Sequence, residues 1–115
     1  LWESRAGDYP LSREVLDLCA RVVLATRPDA PGATDDVTRY VRYGSSPRGA
    51  LALVAAGCAR ALLHGRLHVT VDDVEQVAPA ALRHRLILNY EADAALVRRD
   101  DLVRAAWERA RRHPR

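Results

Sequence analysis

Lysine is missing altogether: all 18 basic residues of this 115-residue chain are arginine. A P-loop needs a lysine to reach the terminal phosphates of a nucleotide, so no Walker A motif can exist here. Phenylalanine and methionine are also absent, and aromatic residues make up only 5% of the chain. Any core must therefore be built from Leu, Val and Ala, which suit closely packed helices. No apolar run approaches the ~18 residues of a membrane span. No charged n-region precedes an apolar stretch at the N-terminus, so no signal peptide is expected. No CxxC occurs. Cys19 and Cys58 each stand alone in an apolar helical stretch, and read as buried free thiols of a reducing, cytoplasmic compartment. His64 and His68 have the spacing of half a zinc site, but no cysteine pair lies near enough in sequence to complete it, so no metal site is expected.

What is present suffices for one small domain with a core of its own. The charge is unevenly placed. Residues 98–115 hold seven arginines against three carboxylates, whereas the first 97 residues hold 11 arginines and 12 acids. The body is close to neutral and the tail is basic. A nucleic-acid-binding fold would more often carry its charge on the face that meets phosphates.

Helical periodicity dominates the patterning. A helix is expected from about Leu11 to Thr26, capped by Ser12, with Glu14 in its first turn and Val15, Leu18, Cys19, Val22 and Val23 as one apolar stripe. The stretch "RPDAPGATDD" (27–36) reads as a loop, followed by a short helix from Asp35 to Tyr43 that Gly44 ends. A third helix, Pro47 to His64, is apolar nearly all round and is expected to be central and buried, with Gly57 admitting a close neighbour. Thr70 and Asp73 form a capping-box pattern for a fourth helix, which Pro79 should kink or break. "VTVDD" resembles the acidic end of a Walker B strand only superficially; the run is too short and the cap pattern too good. Residues 89–99 read as a loose acidic connector. A last helix from Asp100 to Arg112 places Leu102, Val103, Ala106 and Trp107 on one side. Asp100–Arg104 and Glu108–Arg112 are spaced as i,i+4 ion pairs, and Arg111, Arg112 and His113 complement the C-terminal end. The expected fold is all-α, a small bundle of four to six helices.

The segment "GSSPR" (44–48) stands out. Ser46 suits an N-cap and Pro47 the first helical position, which puts Arg48 at the second. A cation there opposes the helix dipole by about 0.3–1 kcal/mol. An anion bound at the helix start reverses that sign, because backbone N–H groups, the dipole and a guanidinium would all favour a phosphate. The rival explanation is an Arg48 that points to solvent or pairs with Asp35 or Asp36.

Over residues 15–89 the chain resembles the C-terminal lid domain of MoxR-type AAA+ ATPases. The resemblance is carried by "VLDLCARVVLATR" (15–27), "YVRYGSSPRGALAL" (40–53) and "LLHGRLHVTVDDVEQVAPAALRHRLILNYEA" (62–92). It implies that Arg48 is the sensor-2 arginine, set with Ser46 and Pro47 against the terminal phosphates of ATP held with Mg2+ by a separate αβα module. Arg83, His84 and Arg85 match the family's "LRHR" segment and would face that module or a neighbouring subunit; Arg27 matches its "ATR". The resemblance further implies a homo-oligomeric ring, most often a hexamer, and chaperone-like remodelling or assembly of complexes with a von Willebrand factor A domain partner. Neither nucleic acid nor membrane is implied.

Walker A, Walker B, sensor 1 and the arginine finger are all lacking, so the chain would have no catalytic power alone. Residues 1–10 would lead in from an upstream ATPase module, and residues 11–115 would form the lid with its basic C-terminal helix. Two rival readings remain at this level. One is a helical interaction module working through the Arg-rich last helix; the other is a helical DNA-binding domain.

Overall fold

The computed structural model describes residues 12–31 and 33–112. The expected lead-in over 1–10, the start of the first helix at Leu11 and the contribution of His113 lie outside the described residues.

Among those residues the chain forms six α-helices, one 3-10 turn and one small β-ribbon. Helix α1 (Arg13–Ala25) begins where the Ser12 hydroxyl accepts the Val15 N–H at 3.1 Å, and Val15, Leu18, Cys19, Val22 and Val23 are buried along it. Helix α2 (Asp35–Tyr40) is shorter than the sequence suggested, because the chain leaves helical geometry at Val41. Residues Val41–Tyr43 form strand β1 instead. Strand β2 (Ile87–Leu88) pairs with it antiparallel, matching Val41 to Leu88 and Tyr43 to Ile87.

Helix α3 (Arg48–Leu63) is followed by Gly65, which takes φ +72° and lets the Arg66 N–H reach back to the Ala61 carbonyl. The left-handed backbone conformation is the reason glycine suits that position. Helix α4 (Val71–Leu82) carries the full capping box: the Asp73 N–H donates to the Thr70 hydroxyl, and the Thr70 N–H donates to the Asp73 carboxylate. Pro79 does not break this helix. It removes one backbone hydrogen bond, but Val74, Ala78 and Leu82 on either side of it are buried, and that packing holds the helix together.

A 3-10 turn, Arg83–Arg85, leads into β2. The expected loose connector after it contains helix α5 (Tyr90–Ala94), capped by Asn89, whose Oδ1 accepts the Ala92 N–H and whose Nδ2 donates to the Arg39 carbonyl at 2.7 Å. Helix α6 (Arg99–Arg112) buries Leu102, Val103, Ala106, Trp107 and Ala110. Neither i,i+4 ion pair expected along it is present among the described residues. Asp100 pairs with Arg83 at 3.2 Å instead, because that arginine is presented from the 3-10 turn beside it.

The core lies between α1, α3, α4 and α6, with α3 packed mainly on α4 and α1 on α6. Leu53, Leu82, Val22, Val37, Val74 and Val103 are its largest fully buried aliphatic side chains. Gly57 admits α4 closely: a Cβ there would sit 3.3 Å from both Val69 Cγ1 and Val74 Cγ2. The all-α expectation holds apart from the ribbon. The expectation that α3 is buried all round does not, since only Gly49, Leu53, Gly57 and Ala61 are buried along it. No helix among the described residues is long and apolar enough to cross a membrane.

Candidate functional site

The segment ahead of α3 is held from two directions. On one side β1 runs straight into Gly44, so the ribbon fixes the chain's entry. On the other side stands Thr26, fully buried at the end of α1. Its hydroxyl donates to the Val23 carbonyl at 2.6 Å and accepts the Ser45 N–H at 3.1 Å. Gly44 lies directly on this corner. A Cβ at residue 44 would fall 2.4 Å from the Thr26 carbonyl oxygen and 2.7 Å from Arg27 Cα, so only glycine fits. Gly44 therefore serves close approach between two backbones rather than ending α2.

Ser45 is buried, and its hydroxyl donates to the Ser46 carbonyl at 3.0 Å. That hydroxyl fills the space where a residue larger than glycine at 49 would place its Cβ, only 1.9 Å away. The helix start is shifted by one residue from the sequence reading. Pro47, with φ −54° and ψ −24°, holds the cap position without a side-chain hydrogen bond, and Arg48 is the first residue of α3. Ser46 contributes its carbonyl, which accepts the Gly49 N–H at 2.8 Å, while the Pro47 carbonyl accepts that of Ala50 at 3.0 Å. Two of the N–H groups expected to be free for an anion are thus engaged. The Arg48 N–H has no acceptor among the described residues.

Ser46, Pro47 and Arg48 are all exposed. Arg48 makes no hydrogen bond or ion pair among the described residues, with Asp35 and Asp36 or any other acid. Arg39, Arg60, Arg66 and Arg83 each hold a carboxylate, whereas Arg48, like Arg85 and Arg104, holds none among the described residues. An unpaired guanidinium at the positive end of a helix has the chemistry of an anion contact. The described residues contain no group of three or more His, Cys, Asp or Glu that could hold a metal ion. His64 and His68 are both exposed.

The other predicted residues divide. Arg83 is engaged within the fold, its Nε donating to the Pro79 carbonyl at 3.3 Å and lying 3.2 Å from Asp100, while its side chain stays partly exposed. His84 and Arg85 are exposed on the same turn. No hydrogen bond or ion pair joins these three to Ser46, Pro47 or Arg48. Arg27 is half-buried beside Gly44. Cys19 is fully buried, and burial, with a smaller contribution from nearby Cys58, pushes its thiol up to about 11. Burial also raises the half-buried Cys58 thiol.

Two contributors escaped the sequence reading. Thr26, inside "ATR", clamps the loop from 19 residues away; Asp73, read only as a cap, is completely buried and receives both Arg60 and Arg66.

A family model described as the AAA lid domain matches residues 33–106. The chain belongs to the AAA lid domain family. It is 44% identical over 92 residues to Chaperone MoxR1 of Mycobacterium tuberculosis, a match that covers 80% of this chain and 24% of that protein. It is 40% identical over 80 residues to Protein MoxR of Methylorubrum extorquens, covering 68% of this chain and 22% of that one. Its fold superposes on a crystal structure from Cytophaga hutchinsonii, of a protein assigned as an ATPase, with a TM-score of 0.83 and 28% identity. That match covers 92% of this chain and 32% of the other. The lid thus spans about a quarter of the length of its MoxR relatives, and with them it groups as a lid of the MoxR type.

Proposed function

We propose that this domain caps ATP bound by a separate nucleotide-binding module of a MoxR-type AAA+ ATPase. Arg48 acts there as the sensor-2 arginine. The observation that carries this reading is an exposed arginine, unpaired among the described residues, at the positive end of α3 on a loop clamped by Thr26 and Gly44. Such a cation is unfavourable in the isolated domain and becomes favourable once phosphate oxygens approach it.

ATP with Mg2+ supplies the reactive phosphoryl group; the metal would be held by the phosphates and the other module. Arg48 would orient and neutralise the terminal phosphates, with Ser46 and Pro47 shaping the approach. Charge leaving the γ position weakens that contact, and the clamped loop passes the change to α1 through Thr26 and to the ribbon through Gly44. His84 and Arg85 are exposed for contact with the module or a neighbouring subunit. The parent protein would be a cytoplasmic ring, a hexamer in its simplest form. It would drive chaperone-like assembly or remodelling, with a von Willebrand factor A domain protein among its partners.

The test is ATP turnover and nucleotide affinity of the full-length parent with Arg48→Ala. The expected result is a fall in turnover of about tenfold or more, or at least ~1.4 kcal/mol of transition-state stabilisation. Unchanged turnover together with unchanged affinity would return Arg48 to an ordinary surface residue.

A further inference from the structure

Pro79 lies inside α4, a position where proline is costly. Having no N–H, it offers nothing to the Glu75 carbonyl four residues back, which loses its usual helical donor. Glu75 and Pro79 also line a cavity of about 380 Å³ between α4 and α6, a size within the range of small-ligand sites. Each wall is one helix face: Glu75, Ala78 and Pro79 on α4, and Val103, Arg104, Trp107 and Glu108 on α6, stand a turn apart. The inner lining is apolar, with Ala78 and Val103 buried and Trp107 only 3% exposed. The Trp107 indole N–H finds no acceptor among the described residues, an uncommon state for a buried donor. Glu75 is half-buried and Glu108 exposed, and neither holds a cation among the described residues.

We propose that this cavity takes one basic side chain, arginine or lysine, from an extended peptide segment of a partner protein. The aliphatic stem of that side chain lies along Pro79, Val103 and Trp107, and its cationic head reaches Glu75 and Glu108 from the two helices. Two carboxylates against Arg104 leave the lining one negative charge in excess, which favours a cation over an anion. The indole N–H lacks an acceptor and the Glu75 carbonyl lacks a donor, and a peptide unit carries one of each. A bare metal ion would leave the apolar wall uncovered, and an acidic peptide would meet the wrong charge. The site uses neither Arg48 nor nucleotide, so it stands apart from the lid reading.

The experiment labels the tryptophan indoles of the full-length parent with nitrogen-15 and titrates it with Nα-acetylarginine methylamide. This probe carries one guanidinium, its stem and two peptide units, and Trp107→Phe identifies the Trp107 resonance. The expected result is a saturable shift of that resonance, with Nα-acetylglutamine methylamide binding at least fivefold more weakly. Glu75→Gln combined with Glu108→Gln is expected to weaken the arginine probe at least fivefold, with an unchanged thermal melt. Should that pair disturb folding, Glu108→Gln alone, at an exposed position, makes the same test. No saturable shift with the arginine probe would leave the cavity to water and overturn the site. Equal binding of the two probes, or indifference to the glutamine substitutions, would overturn the recognition of a basic side chain. Arg48→Ala is expected to leave the titration unchanged, so this site and the phosphate contact fail or stand separately.

Discussion

Helix α3 has two arginines, one near each end, and they are treated oppositely. Arg60 lies in the last turn, where the dipole favours a cation, and its Nη1 sits 2.7 Å from a buried Asp73 oxygen. Arg48 opens the helix, where the dipole opposes a cation, and no acid among the described residues answers it. The Arg60 end is finished within the domain. Asp73 also receives Arg66 and both the N–H and hydroxyl of Thr70, so this one carboxylate ties α3, the following loop and α4 together. At the Arg48 end the backbone ahead of the helix is held by Thr26 and Gly44, and the side chain is in solvent. Of the two ends of α3, the Arg60 end finds its counter-charge among the described residues and the Arg48 end does not.

The comparison can be broken hardest at Asp73. Asp73→Ala leaves Arg60 and Arg66 without their shared buried carboxylate and removes the α4 cap, and is expected to cost about 3–5 kcal/mol in chemical denaturation. The two faces of α3 come next. Leu53→Ala, at a fully buried position, is expected to cost about 2–5 kcal/mol, whereas Leu51→Ala on the exposed face should stay within about 0.5 kcal/mol. Equal losses at both positions would mean that this face is packed in the domain itself. The smallest effect sharpens the contrast between the arginines. Arg48→Glu places a carboxylate at the positive end of α3, and is expected to raise the stability of the isolated domain by about 0.3–1 kcal/mol. The same change should weaken ATP turnover in the parent. A melting temperature that falls would show that Arg48 stabilises the domain as it stands.

The features legible in the sequence are those with local causes. Ser12, the Thr70–Asp73 box and the stripes of α1 and α6 each declare themselves within four residues, and each is found where expected. Strands of three and two residues carry no usable periodicity, and the five-residue α5 is too short to show an apolar stripe, so the sequence extends α2 through 41–43, reads 90–94 as connector and gives no sign of the strand at 87–88. Pro79 misled because its helix is held by tertiary packing more than by its own hydrogen bonds. The all-round apolar pattern of α3 was real, but a rule for isolated domains assigned both faces to an interior core; one of them is at the surface.

The candidate site divides in the same way. Arg48 at a helix start followed from Ser, Pro and the dipole, all within three residues. The Thr26 clamp spans 19 residues and the Gly44 contact joins two backbones, and neither leaves a local signal. Glycine at 49 also has its reason in three dimensions, since the Ser45 hydroxyl fills the space an alanine methyl would need.

The most direct measurement is a structure of the full-length parent with a non-hydrolysable ATP analogue bound. The account predicts the Arg48 guanidinium at about 2.7–2.9 Å from a terminal phosphate oxygen, as a charge-assisted hydrogen bond requires. An Arg48 side chain still in solvent, with another cation at those phosphates, would contradict it.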